Sequence, residues 1–215
     1  MTRAFWPLAL LLTVAAAAAS LVLYPQLPDQ IPTHFNLYGE PDAYGNKTWA
    51  AFMLPGVMVV VLILTRLLPW LSPRRFEVDT SRATYLFVML LLIAFIAYGH
   101  ALTLWTALGG HPDMGRALLA GLFLFFALIG NVLGKVRRNF WMGVRSPWTL
   151  ASERVWIDTH RFAARLFVAV GILGFLMTLL GVPLEFMFAF LILGALAPVV
   201  YSLIWYKRLE RRGEL

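Results

Sequence analysis

The 215-residue sequence contains no cysteine, which removes disulfides, thiolate metal sites and cysteine nucleophiles from consideration. It is also poor in charge. Only 13% of residues are Asp, Glu, Lys or Arg, about half of the roughly 25% typical of soluble domains. That shortage excludes a water-facing globular surface, a disordered chain and a nucleic-acid-binding domain. The net charge of +7 does not change this. The basic residues fall in short clusters between apolar runs instead of lining one exposed face. No direct nucleic-acid partner follows from them.

What the chain does have is apolar length. Hydrophobic types make up 60% of it, and the mean hydropathy is +0.75. A bilayer core takes about 20 apolar residues in a helix. Six runs approach this: Phe5–Tyr24, Trp49–Leu68, Ala83–Leu108, Ala117–Gly134, Phe162–Leu180 and Pro183–Tyr206. Amides in lipid must bond within their own segment, so each run is expected to be a helix. The first run, with Arg3 and the tract Ala15 to Ala19, also has signal-peptide features. It is longer than the usual signal core of about 7–15 residues. Cleavage would leave five helices and put the chain ends on opposite sides. An uncleaved helix is therefore expected.

Charge placement sets the orientation. With a cytoplasmic amino terminus, 16 basic residues face inward: Arg3, Arg66, Arg74, Arg75, Arg82, Lys135, Arg137, Arg138, Arg145, Arg154, Arg161, Arg165, Lys207, Arg208, Arg211 and Arg212. Only Lys47 and Arg116 face outward. Of the acids, Glu77, Asp79, Glu153, Asp158, Glu210 and Glu214 lie inside, and Asp29, Glu40, Asp42, Asp113 and Glu185 outside. The inner face carries +10 and the outer −3, consistent with the positive-inside rule. The expected fold is an all-α membrane protein. Its six transmembrane helices form three hairpins, with both termini cytoplasmic. An interfacial helix, starting near Thr149, is expected in the cytoplasmic loop between the fourth and fifth runs.

The chain divides into an amino-terminal two-helix unit, residues 1–70, and a four-helix unit, residues 71–215. Gly171, Gly174 and Gly181 are placed to let a neighbouring helix approach closely. Pro198 is expected to bend the last helix. The first unit holds an outer loop, residues 25–48, with prolines at 25, 28, 32 and 41 that limit helix. Asn36, Gly39, Asp42 and Gly45 recur every three residues and suggest tight turns. His34, Asn36, Gly39, Glu40 and Asp42 are the candidate extracytoplasmic recognition residues. His34, His100 and His111 share that side of the membrane, as do Asp113 and Glu185. Histidine with carboxylates suits a divalent metal, but no two ligands have a diagnostic spacing. His100 is expected to be a packed, hydrogen-bonded residue. No metal site, cofactor or catalytic residue is assigned.

The loop over residues 130–161 carries Trp141, Trp148 and Trp156, amphipathic side chains that prefer headgroup depth. Pro147 disfavours helix at Ser146. Thr149 is suited to capping a helix and Glu153 to its first turn. Trp156 and His160 are four apart and share a helical face. Asp158 is placed to pair with Arg154 or Arg161.

The run Asn139-Phe-Trp-Met-Gly-Val-Arg-Ser-Pro-Trp-Thr-Leu150, with Val155-Trp156 and Thr159-His160-Arg161, resembles the signature of the SdpI family. Ile31-Pro-Thr-His-Phe-Asn36 and Gly39-Glu-Pro-Asp42 resemble the domain of unknown function often found at that family's amino end. There are departures. Valine stands at 144 where the family usually has isoleucine, Arg138 where proline is common, and Ser146 where threonine is frequent. The resemblance implies a bacterial cytoplasmic (inner) membrane protein giving immunity to a membrane-active peptide toxin or protection from envelope stress. It also implies a part in signalling, through a cytoplasmic regulatory protein held at the inner loop. The bilayer, a peptide toxin at the outer face and that regulator are the partners it implies. Asn139, Gly143, Arg145, Pro147, Trp148, Thr149, Trp156, Thr159 and His160 are the signature residues. Among them Arg145 is expected as the charged contact, and Trp148, Trp156 and His160 as scaffold. A transporter or exporter is the alternative, and would need polar groups within the bundle. A metal-dependent membrane enzyme is a weaker third reading.

Overall fold

Six long helices account for most of the chain. In the computed structural model, residues 2–36, 38–72 and 81–215 are described. Arg74, Arg75, Glu77 and Asp79, four of the charges assigned to the inner face, lie outside the described residues. In order, the elements are α1 (Thr2–Leu23), a 3-10 turn (Tyr24–Gln26), β1 (Gln30–Phe35), β2 (Pro41–Asn46), α2 (Lys47–Trp70), α3 (Arg82–Ala107), α4 (Met114–Leu133), α5 (Pro147–Ala151), α6 (Glu153–Leu179) and α7 (Leu184–Arg211). All except α5 among the helices are long and apolar enough to cross a membrane. Their outward faces carry bare apolar side chains, such as Leu11 at 64% exposure and Leu179 at 70%. Water would penalise such a surface, while lipid does not. The chain is a multi-pass membrane protein.

Helix ends follow from local chemistry. Asn46 caps α2 by accepting the Trp49 N–H at 2.9 Å, and Asp113 caps α4 by accepting the Arg116 N–H at 2.9 Å. Ser152, in extended conformation, caps α6 through the Val155 N–H. Arg208 and Arg211 sit in the last turn of α7, where cations complement the helix dipole.

The fold is mostly helical but not all-α. The loop at 25–48 contains an antiparallel β-hairpin, β1 on β2, with Gln30 opposite Asn46 and Phe35 opposite Pro41. Proline excludes helix yet tolerates extended backbone at sheet edges and bulges, and the register is irregular on both sides of His34. Ile31 is fully buried among Leu27, Ala50, Ala51 and Leu104, which pins β1 onto α2 and α3. Turn and proline signals were visible in this loop. Strand pairing was not, because it depends on those tertiary contacts.

The largest helix interface is α4 against α6, followed by α6 with α7 and α1 with α3. Lipid supplies no hydrophobic force between helices, so close packing must do so. A Cβ at Gly171 would meet the backbone of Ala127 and Phe123, one at Gly174 the Phe123 ring, and one at Gly130 the Val168 nitrogen at 2.7 Å. Gly181 differs from the expectation: it has open space around it and lies in the turn after α6. Pro198 is buried within α7.

The hydroxyls inside the spans are mostly satisfied by neighbouring backbone. Thr13 donates to Ala9 O, Ser20 to Ala51 O, Thr65 to Val61 O and Ser202 to Val199 O. His100 is packed as expected, 2% exposed, with Nε2 3.0 Å from Ser20 Oγ and 3.2 Å from Ala16 O.

The loop before α6 departs from the expected layout. A helix running from Thr149 into the fifth span is replaced by the single turn α5, a break at Ser152, and then α6 from Glu153. Thr149 is not the cap. Ser146 caps α5, with Thr149 returning a bond in a capping box, and Ser152 caps α6. The apolar run begins only at Phe162, after Arg161, whereas the helix begins at Glu153, because a charged residue ends an apolar run without breaking a helix.

Candidate functional site

At one end of the bundle the signature loop is tied into a buried polar knot. Asn139 is fully buried and saturated. Its Nδ2 donates to Arg137 O and Met142 O, both at 2.9 Å. Its Oδ1 accepts from Trp141 N–H at 2.8 Å and Met142 N–H at 2.7 Å. One side chain thus folds residues 139–142 around itself, and only an amide has both donors and acceptors for this.

His160, also fully buried, works the same way on the next stretch. Its Nε2 accepts the Val144 N–H at 3.0 Å, and its Nδ1 lies 2.8 Å from Trp156 O. These partners require the neutral ring with the proton on Nδ1. The ring stacks on Trp156 at 4.1 Å, and the Trp156 Nε1–H donates to Val136 O at 2.8 Å. Gly143 passes directly over His160. Its φ is +113°, and a Cβ there would collide with His160 Nε2.

Thr149 forms the third tie. Its hydroxyl donates to Val144 O at 2.8 Å and accepts the Ser146 N–H at 2.9 Å. Ser146 Oγ lies 2.8 Å from Ser202 Oγ, joining the loop to α7. Asn139, Gly143, Thr149, Trp156 and His160 are therefore brought together as scaffold. Thr159 is fully buried beside them. Pro147, at the first position of α5, and Arg145 are exposed, and Trp148 is half-buried. The Arg145 guanidinium lies over the Phe140 ring at 4.8 Å.

Several participants had little or no sequence signal. The carbonyls of Val136 and Val144 and the N–H of Val144 are backbone, which every residue type offers alike. Ser146 could have been found from its place before Pro147 with Thr149 three residues on. Asp158 does not take the pairing expected of it: it accepts the Trp205 Nε1–H at 2.9 Å, while Arg154 pairs with Glu214 at 2.8 Å.

At the other end, the β-hairpin gathers the outer-loop candidates into pairs. His34 Nδ1 and Asp42 Oδ1 are 2.5 Å apart across the strands, and the histidine side chain is 68% exposed. Asn36 organises the turn. Its Oδ1 accepts the N–H groups of Tyr38 and Glu40, and its Nδ2 donates to Glu40 Oε2. Gly39, at φ +78°, lies so close to α4 that a Cβ would come 3.0 Å from Gly115 N. Of the other outer acids, Asp113 lies next to Gly39, its Oδ1 3.7 Å from where a Cβ there would stand. Asp113 pairs with Arg116, whose Nη1 reaches Thr178 O and Val182 O and ties α4 to the end of α6. Glu185 is in the first turn of α7. Among the described residues no three His, Asp or Glu side chains converge as a metal set. What remains outward is a charged aromatic loop at one end and a polar hairpin at the other.

Residues 135–202 match the SdpI/YfhL protein family, and residues 11–59 match a domain of unknown function, DUF1648. The immunity protein SdpI of Bacillus subtilis (strain 168) is 28% identical over 152 residues, covering 71% of this chain and 70% of that protein. The uncharacterized membrane protein YbgB of the same organism is 40% identical over 57 residues, 26% of this chain and 62% of that one. An uncharacterized protein of Archaeoglobus fulgidus is 41% identical over 51 residues, 22% of this chain and 27% of its own. No solved structure matches. The buried knot from Val136 through Ser202 thus lies within the stretch that matches the SdpI/YfhL family model, and the stretch that matches DUF1648 precedes it.

Proposed function

We propose that this chain is an immunity protein of the bacterial cytoplasmic membrane, protecting its cell against a membrane-active peptide. The observation that carries this is the similarity to an immunity protein over 71% of the chain. In this reading both termini and the signature loop are cytoplasmic, as the basic-residue distribution favours. Residues 1–70 and 71–215 act as the outer-recognition and inner-reporting units.

The hairpin receives the peptide. Glu40 and the His34–Asp42 pair are exposed there, and Asn36 and Gly39 are half-buried in the polar turn. The close approach of Gly39 to α4 gives it a mechanical path to the second unit, since α4 packs on α6 and α6 begins at the knot. At the far end the exposed Arg145, Pro147 and half-buried Trp148 face a cytoplasmic regulator. Asn139, Thr149, Trp156, Thr159 and His160 hold that face in shape, and Gly143 lets the loop cross the histidine.

Expression in a host sensitive to the candidate peptide tests this. Survival should rise with the intact chain. Equal killing with and without the protein would remove the immunity reading for that peptide.

A further inference from the structure

Beside the signature loop is a cleft of about 750 Å³ that the knot does not fill. Ligand cavities are typically about 300–1,000 Å³. Its walls come from α3, α4, α6 and α7, with Val88, Leu133, Phe167 and Val199 among them. Its loop-side wall includes Trp141, Arg145 and Trp148. The interior is apolar, and the loop end brings two polar features. The Arg145 guanidinium is exposed and makes no ion pair among the described residues. The Trp141 Nε1–H is buried without an acceptor among them. A buried donor left unpaired is unfavourable.

We propose that this cleft is a binding site for one anionic phospholipid, with an acyl chain between the helices and its phosphate at Arg145. The bilayer is the solvent of this chain and supplies such molecules at high local concentration. Charge selects the headgroup. Lys135, Arg137, Arg138 and Arg145 precede the first acid of the loop, Glu153. A zwitterionic lipid would bring a second cation into that field, whereas phosphatidylglycerol brings none. An arginine fork also suits phosphate oxygens. The inference depends on the membrane placement of the loop and not on the toxin reading. A lipid phosphate and a regulator would compete for Arg145, so binding is read on the purified chain alone.

The test is native mass spectrometry of the full chain after detergent exchange with phosphatidylglycerol, phosphatidylcholine or inorganic phosphate. The wild type should retain one phosphatidylglycerol at least tenfold more strongly than phosphatidylcholine, and no free phosphate. R145Q should lose the headgroup preference. A195F, which places a ring from α7 into the cleft, should lose retention altogether. Equal retention of both lipids by the wild type would overturn the anionic assignment. Preference that survives both substitutions would overturn the site. If a substituted chain does not fold, the wild-type headgroup series still decides the anionic assignment. Retention of free phosphate alone would show an anion site with no place for a chain, and would overturn the proposal.

Discussion

Gly143 and His160 meet at one point where a single methyl group decides whether the loop closes. G143A should destabilise the chain for two additive reasons: strain at φ +113°, about 1–3 kcal/mol, and overlap of the new Cβ with His160 Nε2. A fall in the thermal midpoint in detergent measures it, and an unchanged midpoint would mean the loop does not cross the ring. Asn139 offers a sharper comparison. N139D keeps both acceptors but loses the donors to Arg137 O and Met142 O, setting carboxylate oxygens against carbonyls. N139A also strands two backbone N–H groups, at about 1–3 kcal/mol for each one left unsatisfied. Both should unfold at lower temperature than the parent. If N139D matches the parent, the Nδ2 bonds are not what holds the turn. The importance of this stretch was legible in the sequence through its family resemblance. The reason was not, because the partners of these side chains are backbone atoms that no residue type announces.

At the scale of elements, α4 and α6 depend on small residues more than on apolar area. G130L should separate them, since its side chain would enter the backbone of Val168 and Ala164. G99A on α3 is the control: nothing lies within 4 Å of its Cβ, so alanine should be neutral or add up to about 1 kcal/mol from helix propensity. Thermal midpoints of the two variants should move in opposite directions or differ strongly; equal shifts would contradict the interface. Two of the three glycines singled out from spacing do pack in this way, and the third, Gly181, does not. Spacing places residues on a face, but it does not say where a helix ends. The same limit explains α5. Its break at Ser152 follows from two serine caps in succession, Ser146 and Ser152, and hydropathy is blind to caps.

For the whole molecule the orientation is the property most open to a direct check. The chain has no native cysteine, so each introduced thiol reports one position without background. Tyr44→Cys on the exposed β2 should react with a membrane-impermeant maleimide in intact cells. Arg137→Cys, exposed on the signature loop, should react only after permeabilisation. The reverse pattern would invert the proposed topology, and the hairpin could not then meet a peptide arriving from outside.

The sequence by itself determined the solvent and the six spans. Those depend on apolar length and on amides that must bond within their own segment, and both are local properties. It also marked which stretches matter, through composition and resemblance. Tertiary structure alone decided three things: that the outer loop pairs as strands, that Asn139, His160 and Thr149 bond inward, and that Arg145 stands beside a cleft. Strand pairing needed Ile31 to find a pocket between α2 and α3. The knot needed Ser202 of α7 and the carbonyl of Val136 brought within bonding distance of residues far along the chain. Such contacts are made between surfaces that exist only once the helices have packed.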